Sequence, residues 1–350
     1  MSDLAKWNIH GPVHTLRTEF AEWDLTLERW QAVRHFTLNQ FHPDGKIGES
    51  EFHNPGGSIS RSSHTYDAEG RLQGTRFQMN DDPPGRMICS YDEHGRLTRV
   101  VSVDRDETER ESEAYHYDQD GKKTKVYSIP KLEPKTGFMY GIEGTAQAYG
   151  ADGATTITTR YDEGGQPMEL VFCDANQHVL RRVVFTRDST GLLMKEEMHL
   201  CEGIPFPRME SEFENAPPGA REAAAAMFAN LFGPDAVMSS TTYTYDREGR
   251  QQERRTRMGE LSDQRTTFRY DTYGNPIEQT NEDHFHEMQI DEEGNLMPAN
   301  EGSHAQDVRF EYTYDARGNW TERVVWSRLH PNPNFQRSNV ERREITYYES

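Results

Sequence analysis

The 350-residue chain is poor in aliphatic residues: 17 Leu, 11 Ile and 15 Val, with 16 Phe, make up about 17% of it. With a formal charge of -20, that scarcity is the composition of a disordered chain. Cysteine is scarce too. Cys89, Cys173 and Cys201 offer neither a disulfide framework nor a CxxC pair, which excludes a stapled secreted domain and a thiolate zinc or redox site. No run approaches 18 apolar residues and the first thirty lack the layout of a secretory leader, which excludes a membrane-spanning helix. A cytoplasmic protein is therefore expected, with export by a specialised secretion system as the open alternative. A basic surplus is also missing, with 39 Lys and Arg against 59 Asp and Glu. The surface field then repels polyphosphate and anionic lipid, so neither nucleic acid nor membrane is expected as a partner. Lysine is nearly absent beyond Lys135, where only Lys195 remains. Arginine supplies the positive charge and suits planar, two-point pairing with carboxylates across strands.

What is present is a repeat. Tyr-Asp-x-x-Gly-Arg/Asn stands at Tyr66-Asp67-Gly70-Arg71, Tyr91-Asp92-Gly95-Arg96, Tyr245-Asp246-Gly249-Arg250, Tyr270-Asp271-Gly274-Asn275 and Tyr314-Asp315-Gly318-Asn319. Tyr117-Asp118-Gly121 and Tyr161-Asp162-Gly165 differ only after the glycine, and degenerate copies stand at Phe41-His42-Gly45, Cys173-Asp174-Gln177, Arg187-Asp188-Gly191 and Ile290-Asp291-Gly294. The unit reads as a hairpin. Asp opens a type I turn by accepting backbone amides, and Gly takes the positive φ through which the chain re-enters a strand. The flanks alternate as half-exposed strands do: Tyr243 with Tyr245, Phe268 with Tyr270, Val324 with Trp326. A period of about 25 residues holds two strands of ordinary length, so roughly twenty antiparallel strands are expected in one continuous meander.

These motifs resemble the YD repeat of the Rhs and teneurin-like proteins over residues 41 to 320. The resemblance implies an all-β fold, a meander of tandem hairpins forming a curved sheet or partial shell, and a link to toxin systems. No C-terminal toxin domain or self-cleavage motif is recognisable, and the chain is much shorter than those shells.

Residues 1–40 read as opening strands, in which Leu25 alternates with Leu27 and Trp7, Trp23 and Trp30 cover the exposed sheet end. The repeat sheet then occupies 41–200 and 241–350 as one domain. Between them, Pro205, Pro207, Pro217 and Pro218 mark a Pro-rich insertion over 201–240. Within it one short α-helix is predicted over 219–232, with Ala224, Met227, Phe228 and Leu231 on one stripe. Residues 130–153 read as an elaborated loop, their glycines lacking the order of a phosphate loop.

Candidate chemistry is sparse. On a strand, Glu282, His284 and His286 share a face, which makes His284 and His286 a weak metal candidate with no remote ligand set to join them. No serine, cysteine or carboxylate constellation reads as catalytic. The turn residues of the seven copies, Tyr66, Asp67, Gly70, Tyr91, Asp92, Gly95, Tyr117, Asp118, Gly121, Tyr161, Asp162, Gly165, Tyr245, Asp246, Gly249, Tyr270, Asp271, Gly274, Tyr314, Asp315 and Gly318, are expected to be structural. The function expected is a non-catalytic scaffold without cofactor, one that binds or encloses another protein and can form homo-oligomers. A surface adhesion or carbohydrate-binding repeat protein is one alternative, and a metal-dependent enzyme the other.

Overall fold

A computed structural model describes residues 3–119, 122–128, 137–140, 146–149, 154–201, 237–259, 262–290 and 296–349. A single helical turn, α1 (Asp3–Lys6), precedes the strands β1 (Val13–Asp24), β2 (Arg29–Trp30), β3 (His35–Phe41), β4 (Ile47–His53), β5 (Ile59–Tyr66), β6 (Leu72–Met79), β7 (Gly85–Tyr91) and β8 (Leu97–Val103). β9 (Glu109–Tyr117), β10 (Lys123–Ser128), β11 (Gly137–Tyr140), β12 (Ala146–Tyr149), β13 (Thr156–Tyr161), β14 (Pro167–Cys173), β15 (Val179–Arg187) and β16 (Leu193–Leu200) follow. The chain ends with β17 (Val237–Tyr245), β18 (Gln251–Met258), β19 (Ser262–Tyr270), β20 (Pro276–Ile290), β21 (Leu296–Tyr314), β22 (Trp320–Leu329) and β23 (Gln336–Tyr347). The fold is all-β, and every strand pair with a described register is antiparallel.

Two compact units share these strands. The first comprises Met1–Glu111, Phe268–Thr280 and Gln306–Ser350, the second Ser112–Thr267 and Asn281–Ala305. In the first, neighbours in sequence pair from β3 through to β8, and β21 pairs β22, which pairs β23. The last strand then pairs with the first, Leu16 facing Ile345 and Ala21 facing Val340, while the other edge of β1 carries β3. In the second unit the meander runs from β9 through β10 and β13 to β19. β16 pairs directly with β17, so the sheet continues across the Pro-rich insertion.

The aliphatic poverty shows as two small cores among the described residues. In the second unit Ile157, Leu170, Phe172, Val183 and Phe185 pack with Leu193 and Tyr243. Register explains the grouping: Ile157 faces Phe172, and Leu170 faces Val183, so alternate residues of three strands meet on one face. In the first unit the residues before β1 supply what the strands lack, Leu4 and Ile9 packing with Val13, Leu16 and Phe41. α1 is held there because Asp3 accepts the Ile47 N–H at 3.0 Å and the Asp3 and Leu4 amides reach Gly45 O.

Several expectations change. The cytoplasmic localisation does not stand: no helix of the described residues is long and apolar enough to cross a membrane, but that test speaks only of helices. Strands cross membranes in closed barrels with a period of two and no long apolar run. Leu25 and Leu27 sit in the tip of the β1–β2 hairpin and are 61% and 56% exposed, because the ladder ends where Asp24 pairs with Arg29. Residues 130–153 contain a two-stranded ribbon, Gly137 facing Tyr149 and Tyr140 facing Ala146. The helix expected over 219–232, Gly121 and the Asp291-Gly294 turn lie outside the described residues.

Candidate functional site

The repeat residues come together as joints between hairpins. In the turn after β5, Asp67 Oδ1 accepts the N–H groups of Glu69 at 3.1 Å and Arg71 at 2.7 Å, and Gly70 N–H donates to Asp67 O at 2.9 Å. Gly70 has φ 76°, and Gly95, Gly165, Gly249, Gly274 and Gly318 repeat that left-handed geometry. Burial pushes the Asp67 carboxyl up, but the amides and the Arg71 guanidinium outweigh it and hold it below the ordinary carboxylate range. Asp92 and Asp246 are held low in the same way by Arg96 and Arg250.

Three repeat tyrosines then reach back one unit. Tyr66 donates to Ile47 O at 2.9 Å, Tyr91 to Leu72 O at 2.8 Å and Tyr245 to Leu193 O at 2.7 Å, the last across the insertion. The cation after the turn glycine lies over the incoming ring, Lys46 5.3 Å from the Tyr66 centroid and Arg71 4.8 Å from that of Tyr91. Where the turn closes with Asn the connection changes. Tyr314 donates to the Asp271 carboxylate while Asn275 Nδ2 donates to its hydroxyl at 2.9 Å. Tyr347 donates to Asp315 Oδ2 at 2.5 Å, and Asn319 Nδ2 donates to Tyr347 Oη at 2.9 Å. Tyr348 bonds Phe41 O, so the chain's end is tied to its first turn. Sequence reading placed the turns, but not the tyrosine partners; the constant offset of 19 residues between Tyr66 and Ile47 and between Tyr91 and Leu72 is the signal that could have found them.

Two clefts lie apart from the joints. In the first unit a groove of about 280 Å3 runs over β3 to β6. Register lines up Gln40, Glu49, Ser63 and Arg76 in one row and Leu38, Glu51, Arg61 and Gln78 in the next. Glu51 takes Arg61 Nε at 3.0 Å and also bonds His53. Burial pushes its carboxyl up, yet His53 and Arg61 together hold it below its ordinary value. Glu49 and Arg76 are exposed and make no ion pair among the described residues, so the groove offers one spare acid and one spare base on either side of Ser63.

In the second unit a cleft of about 190 Å3 is lined by Arg257, Asp263, His284, His286 and Glu301. The structure thus brings the two candidate histidines to one opening. Their strand neighbour Glu282 is engaged by Arg265 at 3.2 Å. Asp263 accepts Arg255 Nη2 at 2.5 Å and Arg257 Nε at 3.1 Å, bonds that draw its carboxyl down to about 2 against a smaller opposing effect of burial. No group of three or more His, Cys, Asp or Glu is arranged to hold a metal among the described residues. The arginine run from 250 to 257 is largely paired, Arg250 with Asp246 and Arg255 and Arg257 with Asp263. Cys89, Cys173 and Cys201 form no disulfide among the described residues.

No protein-family model matches the chain, and no curated protein matches it. Among solved structures, a porin-like protein from Bacteroides uniformis ATCC 8492 is similar over 96% of this chain and 98% of its own, at 10% identity and a TM-score of 0.32. The Tc holotoxin pore of Photorhabdus luminescens covers 90% of this chain with 19% of its own, at 14% identity and a TM-score of 0.15. Transferrin Binding Protein B from Haemophilus parasuis Hp5 covers 96% and 76%, at 7% identity and a TM-score of 0.20. Such scores position no residue and assign no activity.

Proposed function

We propose that the chain is a non-catalytic β-scaffold that binds another protein along the charged groove of its first unit. The observation that supports this reading is the row Gln40, Glu49, Ser63 and Arg76, where a spare carboxylate and a spare guanidinium stand on strands that the turn joints hold in register. Charges fixed on a rigid sheet without partners of their own set orientation and specificity for a complementary surface. A salt-bridged neighbouring row, Glu51 with Arg61, keeps the floor of the groove ordered. The motif resemblance to YD-repeat proteins extends the proposal to a partner from a toxin system, which the scaffold would hold or enclose.

The test is cross-linking mass spectrometry in the native cell, with cell fractionation run in parallel. Cross-links to one protein concentrated around residues 38–78, and lost when Glu49→Arg and Arg76→Glu are combined, support the proposal. Cross-links that ignore this double reversal, or a monomer that captures nothing, overturn it.

A further inference from the structure

On the opposite face of the same sheet, a guanidinium lies against an indole ring with no ion-pair partner among the described residues. Arg343 of β23 pairs with Thr18, and Thr18 with Thr37, whereas the adjacent Arg17 pairs with the groove residue Leu38. The period of two therefore puts Arg343 on the face away from the groove. Its Cζ is 3.5 Å from the ring centroid of Trp320, a residue only 9% exposed. Beside it, Arg323 lies 5.4 Å from the same ring and bonds Glu341. That carboxylate is taken, and the Arg343 side chain makes neither a hydrogen bond nor an ion pair among the described residues; its Nε, like that of Arg323, is buried without a partner there. Burial lowers the Arg343 pKa to about 10, Arg323 adding to the effect against Glu341, so the group stays cationic at neutral pH. Two guanidinium groups thus share one carboxylate.

A desolvated cation without a counter-charge is costly, and a planar guanidinium resting on an indole still presents its edge as a two-point donor for an oxyanion. We propose that Arg343, seated on Trp320 and flanked by Arg323, anchors a binding site for a carboxylate or phosphate group. The site is independent of the protein-binding groove, and either can fail without the other.

The test uses the full chain at constant ionic strength, titrated separately with sodium acetate and inorganic phosphate and read by tryptophan fluorescence and by the thermal midpoint. A saturable change with one or both anions is expected at roughly millimolar concentration, as suits a single small-anion contact. Which anion acts identifies the ligand chemistry. Arg343→Lys keeps the charge but loses the fork, and is expected to weaken binding about tenfold or more. Arg343→Met is expected to abolish the saturable part of the anion-dependent rise in thermal midpoint, while the rise it retains measures the general stabilisation that phosphate gives folded proteins. No saturable response to either anion up to about a hundred times the expected concentration, or equal responses from the unmodified chain and Arg343→Met, overturns the proposal.

Discussion

Turns closed by arginine and turns closed by asparagine use the same Asp and Gly but join neighbouring hairpins differently. At Asp67–Arg71 the guanidinium bonds the turn carboxylate at 2.6 Å and covers the next ring, so Tyr91 is left to a neutral backbone carbonyl. At Asp315–Asn319 a neutral amide stands in place of the guanidinium and donates to Tyr347 Oη, and Tyr347 bonds the carboxylate itself. Asn319 also accepts His10 N–H at 2.7 Å and donates to His10 O at 2.9 Å. The difference teaches that one substitution after the turn glycine moves a joint from a half-exposed stack to a buried hydrogen-bond hub.

The comparison can be broken first at its largest effect. Asn319 is 2% exposed, and Asn319→Ala strands the His10 N–H and C=O and takes from Tyr347 the bond it accepts, for an expected loss of about 3 kcal/mol. Arg71→Ala, at a solvated joint, is expected to lower the urea midpoint far less. Equal losses would show that the two joints do not differ. Next come the tyrosines. Tyr347→Phe removes a bond to a carboxylate and is expected to cost about 2 kcal/mol, whereas Tyr91→Phe removes one to a neutral carbonyl and is expected to cost about 1 kcal/mol. Heat-denaturation midpoints of the two variants, measured side by side, check the order.

A smaller effect separates intact from degenerate turns. Gln177 holds φ 66° where the repeat has glycine, with Asp174 still closing the turn through His178 N–H at 2.9 Å. Gln177→Gly is expected to stabilise by about 0.5–1 kcal/mol and Gly249→Ala to destabilise by about 1–2 kcal/mol. The smallest effect concerns pH. Asp263 and Asp315 are both held below their ordinary range. Asp263 is drawn down chiefly by Arg255; at Asp315 burial pushes up but Tyr347 and the turn amides prevail. Their stabilisation is complete above about pH 4 and lost as pH falls toward their folded values. Since the arginines beside Asp263 are well exposed, solvent screening holds its share to about 1 kcal/mol or less. Asp263→Asn is expected to lower the urea midpoint at pH 7 by that share and to flatten its fall between about pH 4 and pH 2. An unchanged acid limb would remove Asp263 from the account.

How much was legible depends on how local the cause is. Tyr66-Asp67-Gly70 announces its turn because Asp and Gly are selected by backbone geometry within five residues. The turns at Asn54–Ser58 and Asp104–Thr108, closed by the same pair of backbone bonds, escaped notice. In the second, Glu107 takes the left-handed position at φ 64°, and glutamate does not advertise it. The exposed tip at Leu25 and Leu27 was misread as strand, since alternation over three residues does not separate a ladder from a turn. Of the groove, residue types were visible but not rows: that Glu49, Ser63 and Arg76 align follows from register, which three successive turns set together.

The sequence by itself determined the class of fold, since Asp and Gly spaced about 25 residues apart dictate hairpins and the period-two flanks dictate half-exposed strands. It also determined that the cores would be thin, with 59 Leu, Ile, Val and Phe in 350 residues. Only the tertiary structure decided that β23 would pair with β1, that Tyr66, Tyr91 and Tyr245 would bond back to the preceding hairpin, and that Arg343 would settle on Trp320. The reason is distance along the chain. Thr15 and Thr346 stand 331 residues apart, and nothing local in either names the other. Their pairing exists only once every intervening hairpin has added its own twist and register to the sheet.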